Sequence, residues 1–406
     1  MDKKTISLCM IVKNEADFIG NCLDGIRDTM DEIIIVDTGS TDGTQKICEA
    51  KGAKVFPYQW KQDFSAARNY GLEKASSEWI LWLDADEEVE QGDLPHLRKF
   101  LHCGQEKHVF SIKLINFHGE SPPHPDRSFL IAHHRIFRNH RGFRFLGPIH
   151  EQLNIRDVLP EFPEVPMLPI RVYHYGYMES VTGKKEKFKR NLQMLEKALE
   201  GGDPNPWIPY HIASEYYRVA EYRKSFEYVN QSIIRFIKKG ETPPSLLYKL
   251  KYAVLLLLGS IDGAYPGIER AIALYPNYVD LHFYKGIILF AKEKYEQALD
   301  VFHHCLTLGE ENLEHLILCG LGSFQAWYYI GECERKHNRL TSSLYAFAQS
   351  LCQSPTYEPS WKALYQLAKN HAMEAHDPLT NNTVDWKTAA GRQHILEKIE
   401  NYALSK

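Results

Sequence analysis

Two carboxylates one residue apart, Asp84 and Asp86, close the apolar run Trp79-Ile-Leu-Trp-Leu83. Such a run reads as a buried strand, and the carboxyl ends of strands in an open α/β sheet are where ligands collect. A hard divalent cation, Mg2+ or Mn2+, is the natural partner of paired carboxylate oxygens and in turn neutralises a bound diphosphate. The pair therefore suggests a nucleotide-sugar site. By itself Asp-Ala-Asp-Glu-Glu also fits a solvated turn after a strand, since a short motif match is only a hypothesis. The flanking elements must decide.

Those elements alternate. Residues 6–12 read as a first buried strand, and Lys13-Asn14-Glu15 opens a helix with Phe18, Ile19, Cys22, Leu23 and Ile26 at helical spacing. A second strand over 33–36 leads through a polar, Gly-containing turn into a helix over 45–51, with Ser40, Thr41 or Asp42 available as its cap. A short strand over 53–57 follows, then a helix that Asp63 or Ser65 can cap, then the run that ends at Asp84. Strand–helix alternation at short intervals predicts an α/β fold with a mostly parallel, Rossmann-like sheet.

The totals set outer bounds. The chain has 406 residues, 44% of them hydrophobic and 25% charged, enough for two or three globular domains. A formal charge of -4 argues against a nucleic-acid partner, which usually calls for a basic excess. The longest apolar run, 253–258, is far short of the roughly 20 residues of a membrane span, and the N-terminus has no secretory apolar core. A cytoplasmic location is expected. The eight cysteines form no Cys-x-x-Cys and read as free thiols.

Four motifs stand in register over the first 90 residues or so: Ser7-Leu-Cys-Met-Ile-Val-Lys-Asn-Glu15, Asp31-Glu-Ile-Ile-Ile-Val-Asp-Thr-Gly-Ser-Thr-Asp-Gly-Thr44, Ala67-Arg-Asn69 and Leu83-Asp-Ala-Asp-Glu87. Their order resembles family-two glycosyltransferases of the GT-A fold. The resemblance implies that Asp37 lies by the nucleoside, that Arg68 reaches the ribose or diphosphate, and that Asp84 and Asp86 hold ribose and metal. It also places Val12, Asn14 and Glu15 of the first motif among the nucleotide-sugar-binding residues. Many relatives carry a second aspartate after the second strand, where this chain has Thr38. Uridine is the expected base, and that departure leaves it open.

Farther on, 94–101 reads as a surface helix, 109–115 as a half-buried strand, and 118–126 as a proline-rich loop. Residues 134–138 and 143–151 are expected to form an antiparallel pair across the turn 139–142, ending at His150-Glu151. Inverting transfer to a hydroxyl needs a group that takes its proton. Glu151 is the candidate base and His150 the runner-up; the same residues could simply finish a strand. His174, within an aromatic string, sits where some GT-A enzymes add a histidine to the metal, and a structural aromatic cluster explains it nearly as well. The metal set is thus Asp86, Asp84 and His174.

From Pro206 strands vanish and paired helices begin. Ala264 and Ala298 are 34 residues apart, the tetratricopeptide (TPR) period, and Ser343 opens a comparable helix. The clearest copy joins 278–286 to 295–302, with weaker copies starting near Trp207 and Trp327. Such units stack into an array with a concave groove that usually holds a peptide; the alternative is an array that braces the catalytic domain or pairs two copies into a homodimer. The expected organisation is a GT-A domain over 1–180, a linking helix over 181–205, TPR-like repeats over 206–375, and a capping helix over 376–406.

A sugar-transfer domain fused to a peptide-holding array implies a polypeptide acceptor. With Trp60-x-x-Asp-Phe-Ser-x-Ala-Arg-Asn69, Ser77-Glu-Trp-Ile80 and Gly147-x-x-His-Glu151, the layout resembles bacteriocin (glycocin) S-glycosyltransferases. That resemblance implies transfer of a hexose from a UDP-sugar to cysteine, or sometimes serine, of a precursor peptide. The rivals are a cell-surface polysaccharide or lipopolysaccharide-core transferase and a TPR adaptor with a dead transferase domain.

Overall fold

The computed structural model describes residues 4–103, 106–161, 164–178, 184–370, 385 and 387–404, and the chain divides into two compact units, Met1–Ala220 and Glu221–Lys406. The first unit opens with β1 (Ile6–Val12), α1 (Ile19–Ile26), β2 (Glu32–Asp37), α2 (Thr44–Ala50), β3 (Lys54–Pro57), α3 (Phe64–Leu72) and β4 (Trp79–Trp82). It continues with β5 (Glu87–Val89), α4 (Leu94–Cys103), β6 (Val109–Gly119), β7 (Ser128–Arg138), β8 (Phe145–Leu146), β9 (Gln152–Leu153), α5 (Ile155–Val158) and β10 (Met167–Met178), and ends with α6 (Lys184–Glu200) and α7 (Trp207–Arg218). The expected boundaries near residues 180 and 376 fall outside the described residues.

The main sheet runs β3-β2-β1-β4-β7-β6-β10-β5. β3, β2, β1 and β4 are parallel neighbours, as strands joined by crossover helices must be. β7 then lies antiparallel to both β4 and β6, β10 returns parallel to β6, and β5 closes the edge antiparallel to β10. The sheet is therefore mixed beyond β4, because β6 and β7 are joined by a loop instead of a helix. Alternation along β1 divides two cores: Ile6, Leu8, Met10 and Val12 pack with α1 and α4, while Cys9 faces Ile34, Ile80, Trp82, Phe137 and Phe145. Burial on both faces is why β1 and β4 read as unbroken apolar runs.

Asp63 caps α3, its Oδ1 accepting the Ala66 amide at 2.9 Å, and of the three candidates before α2 it is Asp42 that accepts the Thr44 amide, at 3.0 Å. Leu94, Leu97 and Leu101 of α4, expected on a surface helix, turn their shared face into the core. The antiparallel pair expected between 134–138 and 143–151 does not form. Both edges of β7 are already taken by β4 and β6, so the chain turns through Gly142 (φ 86°) and β8 pairs instead with β9.

In the second unit follow α8 (Tyr222–Lys238), α9 (Ser245–Leu257), α10 (Ile261–Ala264), α11 (Gly267–Leu274), α12 (Val279–Ala291), α13 (Tyr295–Leu308), α14 (Phe324–Lys336), α15 (Leu340–Gln353), α16 (Glu358–Asn370) and α17 (Ala389–Leu404). The helical repeat shows in the backbone. Gly259, Glu293 and Asn338 stand at equivalent places between paired helices, and all three are left-handed, with φ of 67°, 58° and 56°. It shows in packing too. A Cβ at Gly286 of α12 would lie 2.5 Å from the Phe302 ring of α13, and one at Gly331 of α14 would lie 2.6 Å from Phe347 of α15. Tyr252 takes the glycine's place in α9, and there the facing helix is broken into α10 and α11, with Gly267 beside the tyrosine hydroxyl. Among the described residues no helix is long and apolar enough to cross a membrane.

Candidate active site

The turn after β4 carries Asp84 and Asp86, and a buried ion pair fixes it. Glu87, at the start of β5, accepts the Asp84 amide on Oε2 (2.9 Å) and the Arg135 guanidinium of β7 on Oε1 (2.5 Å). Glu87 is fully buried and Arg135 nearly so. Burial raises the pKa of Glu87 against the pull of Arg135. The antiparallel β4–β7 register sets Leu81 opposite Ile136 and so brings Arg135 onto the face of Trp82, its Cζ 3.7 Å from the ring centre.

Arg68 of α3 lies over Trp82 as well, at 4.4 Å, with Phe145 at 5.5 Å. Its guanidinium forks between two carboxylates, Nη2 to Asp84 Oδ1 (2.7 Å) and Nε to Glu151 Oε1 (2.5 Å). Burial would raise the pKa of Asp84, but the Arg68 and Arg135 guanidinia hold it well below the carboxylate range. The structure thus joins Asp84 and Glu151 through Arg68, the residue expected at the ribose or diphosphate. Oδ1 of Asp84 is taken by the arginine, and its charge is still felt at His174.

Asp86 and His174 are brought together: Nε2 of His174, on β10, lies 3.5 Å from Asp86 Oδ1, and Nδ1 is hydrogen-bonded to Asn116 Oδ1 at 2.8 Å. A proton on Nδ1, donated to Asn116, would leave Nε2 to hold either a proton shared with Asp86 or a metal ion in its place. Burial works against a charged imidazole here, yet Asp86, Glu87 and Asp84 carry the His174 pKa above its ordinary value. Gly176 keeps the place bare, because a Cβ there would meet both Asp86 Oδ2 and His174 Nε2. Among the described residues no three His, Cys, Asp or Glu side chains gather as a metal-holding group. Asp86 and His174 would offer a divalent cation one carboxylate and one imidazole, a set that suits Mn2+ better than the oxygen-preferring Mg2+.

Asp37 closes β2. Its Oδ1 accepts the Gly39 and Ser40 amides and Gln45 Nε2, each at 2.9 Å; these bonds outweigh burial and lower its pKa. Its Oδ2 is buried and has no hydrogen-bond partner among the described residues. Thr38 bonds back to the Val12 carbonyl through both amide and hydroxyl (3.0 and 3.1 Å), so its side chain serves the backbone. Asn14, left-handed at φ 56°, ties the loops after β1 and β2: its amide donates to Ser40 Oγ (3.0 Å) and its Oδ1 accepts the Thr41 amide (2.8 Å). The Glu15 amide donates to Thr44 Oγ1 at 2.8 Å.

His150 is also left-handed (φ 54°) and stacks on His211 of α7, with ring centres 3.9 Å apart and planes 11° apart. Burial, then Arg218, pushes the His150 pKa down to about 4, so at neutral pH the ring is uncharged. Arg218 lies over Tyr177 at 5.2 Å, and Tyr177 meets His174 edge-on at 4.9 Å. Sequence reasoning named none of Arg135, Trp82, Asn116, Gly176, Tyr177, His211 and Arg218 for the site. The placing of Arg135 between Trp82 and Glu87 depends on strand pairing, which no local sequence signal marks.

Residues 7–161 match glycosyl transferase family 2. The chain is 30% identical over 275 residues to a TPR repeat-containing protein of Synechococcus elongatus, covering 66% of each. It is 29% identical over 307 residues to the SPbeta prophage-derived glycosyltransferase SunS of Bacillus subtilis, covering 74% of this chain and 65% of that one. The chain thus spans just under two thirds of the length of these two relatives. A glucosyl-3-phosphoglycerate synthase from Mycobacterium tuberculosis, solved with Mn2+, UDP and glucosyl-3-phosphoglycerate, is 25% identical over 28% of this chain and 44% of its own, at a TM-score of 0.25. Residues 7–161 thus form a family-two glycosyltransferase domain, and TPR-like helical repeats follow it in the chain.

Proposed function

We propose that the protein is an inverting, metal-dependent glycosyltransferase that moves a hexose from a UDP-sugar to a cysteine or serine side chain of a peptide, a bacteriocin precursor by its resemblance to the glycocin enzymes. The observation that carries this reading is the Asp86–His174 pair standing beside the Asp84–Arg68–Glu151 fork. Asp86 and His174 would hold Mg2+ or Mn2+, which supplies charge stabilisation to the departing diphosphate. Asp37, with its unpartnered oxygen, serves the nucleoside, and Asn14 and Glu15 shape the loop around it. Glu151 is the acceptor-side base; His150, with a pKa near 4, is too weak a base at neutral pH for that task. The helical repeats supply the peptide-holding surface, and a UDP-sugar donor fits a cytoplasmic reaction.

The test is to incubate the protein with UDP-glucose, UDP-galactose and UDP-N-acetylglucosamine, Mn2+, and matched cysteine and serine peptides, and to read peptide masses. A sugar increment that vanishes in excess chelator, and falls at least about a hundredfold in Asp86→Ala, is expected. Transfer undiminished by chelator overturns the metal assignment. UDP release without any peptide increment overturns the peptide acceptor.

A further inference from the structure

A buried polar atom without a partner is costly to keep, so one beside a candidate site calls for an explanation. His150 Nε2 is such an atom: it is buried and has no hydrogen-bond partner among the described residues. The residue is held in a left-handed backbone, a conformation costly for a non-glycine residue and typical of functional loops. Its ring is fixed from one side by His211, and His211 in turn stacks on Trp207 (6.1 Å, 25°) and meets Tyr210 edge-on (5.4 Å). These supports come from α7, outside the residues that match the transferase family.

Connectivity places the imidazole. On one side its chain neighbour Glu151 leads through Arg68 to Asp84. On the other, α7 leads from His211 to Arg218, then to Tyr177 and to His174 beside Asp86. The stacked pair is thus linked, by chain and by contacts, to both the proposed acceptor-side carboxylate and the Asp86–His174 pair, and on the proposed function the transferred sugar lies between those two groups. Burial and Arg218 keep both rings neutral, so they present hydrogen-bonding atoms without a charge.

We infer that α7 completes the sugar subsite: His150 Nε2 hydrogen-bonds a hydroxyl of the donor's hexose, and His211 is the positioning residue that holds the His150 ring for it. The inference rests on the UDP-sugar reading above and deepens it by assigning the hexose contact to a helix beyond the family domain.

Calorimetry with Mn2+ tests it, comparing UDP with UDP-glucose, UDP-galactose and UDP-N-acetylglucosamine. The wild-type protein should bind one UDP-sugar more tightly than UDP. His150→Phe, which keeps a flat ring and loses the nitrogen, should lose that advantage by roughly fivefold to tenfold, the worth of one neutral hydrogen bond, with UDP affinity unchanged. His211→Ala should reproduce the loss, and His211→Phe, which restores a stacking face, should recover the affinity. UDP-sugar binding equal to wild type in His150→Phe overturns the inference. So do equal losses for UDP and UDP-sugar, which would mark a purely structural stack, and a wild-type protein that binds UDP and every UDP-sugar alike. A wild-type protein that binds no UDP compound fails the donor reading itself, and the inference falls with it.

Discussion

Glu151 shares one guanidinium with Asp84, so its substitution has to be read against two acceptors of different chemistry. A serine hydroxyl needs its proton removed during attack, whereas a cysteine with an ordinary pKa near 8.5 is a few per cent thiolate at neutral pH. Glu151→Gln should abolish transfer to a serine peptide and leave measurable transfer to the matching cysteine peptide, rising with pH; mass spectrometry at saturating donor separates the two, and equal losses would make Glu151 a positioning group. The pair beneath the turn gives a stability prediction. Arg135→Met strands the buried Glu87 carboxylate and should cost about 3–5 kcal/mol in urea unfolding. Arg135→Met with Glu87→Gln should regain most of that, since a neutral amide oxygen still accepts the Asp84 amide. His150 sets a pH dependence. Its folded pKa near 4 lies below the ordinary 6.5, so the unfolded chain takes up a proton first. Stability is full above about pH 6.5 and falls as pH drops towards 4, and His150→Phe should flatten the slope measured by denaturant titration across that window.

Within the helical half, α12 crosses α13 and α14 crosses α15 at one ring and one glycine. Gly286→Ala would ordinarily favour a helix by about 1 kcal/mol, but here the new methyl meets Phe302. It should lower the melting temperature of the second unit, and adding Phe302→Val should restore it, because the repeat containing Ala213 carries Val229 at the matching place. An unchanged melting temperature in the single variant would show that the helices slide freely at this crossing. How much of this was legible from sequence depends on the range of the interaction. Asp84 and Asp86 at a strand end, the Asp63 cap and the helical repeats are local patterns of spacing, and each is found where the pattern put it. Arg135 reaches Glu87 only because β7 inserts between β4 and β6, and sequence spacing carries no record of that insertion. The same long-range pairing defeated the expected hairpin after Arg138.

At the scale of the molecule, the boundary between the compact units falls at Ala220, after α7, so the histidine that backs His150 stays with the sheet. A fragment of residues 1–220 should bind UDP-sugar and hydrolyse it slowly while losing transfer to peptide; undiminished peptide transfer by that fragment would reduce the repeats to a brace. A different consequence follows from the left-handed joints at Gly259, Glu293 and Asn338, which make the array look like a string of exchangeable cassettes. They are not exchangeable. Excising 294–338 would splice α12 to α15 and set Gly286 against Phe347, a ring against a gap, whereas excising 260–293 would splice α9 to α13 and set Tyr252 against Phe302, two rings in one berth. Recombination among these repeats therefore obeys a pairing grammar: the joints permit every splice, and the crossings accept only some.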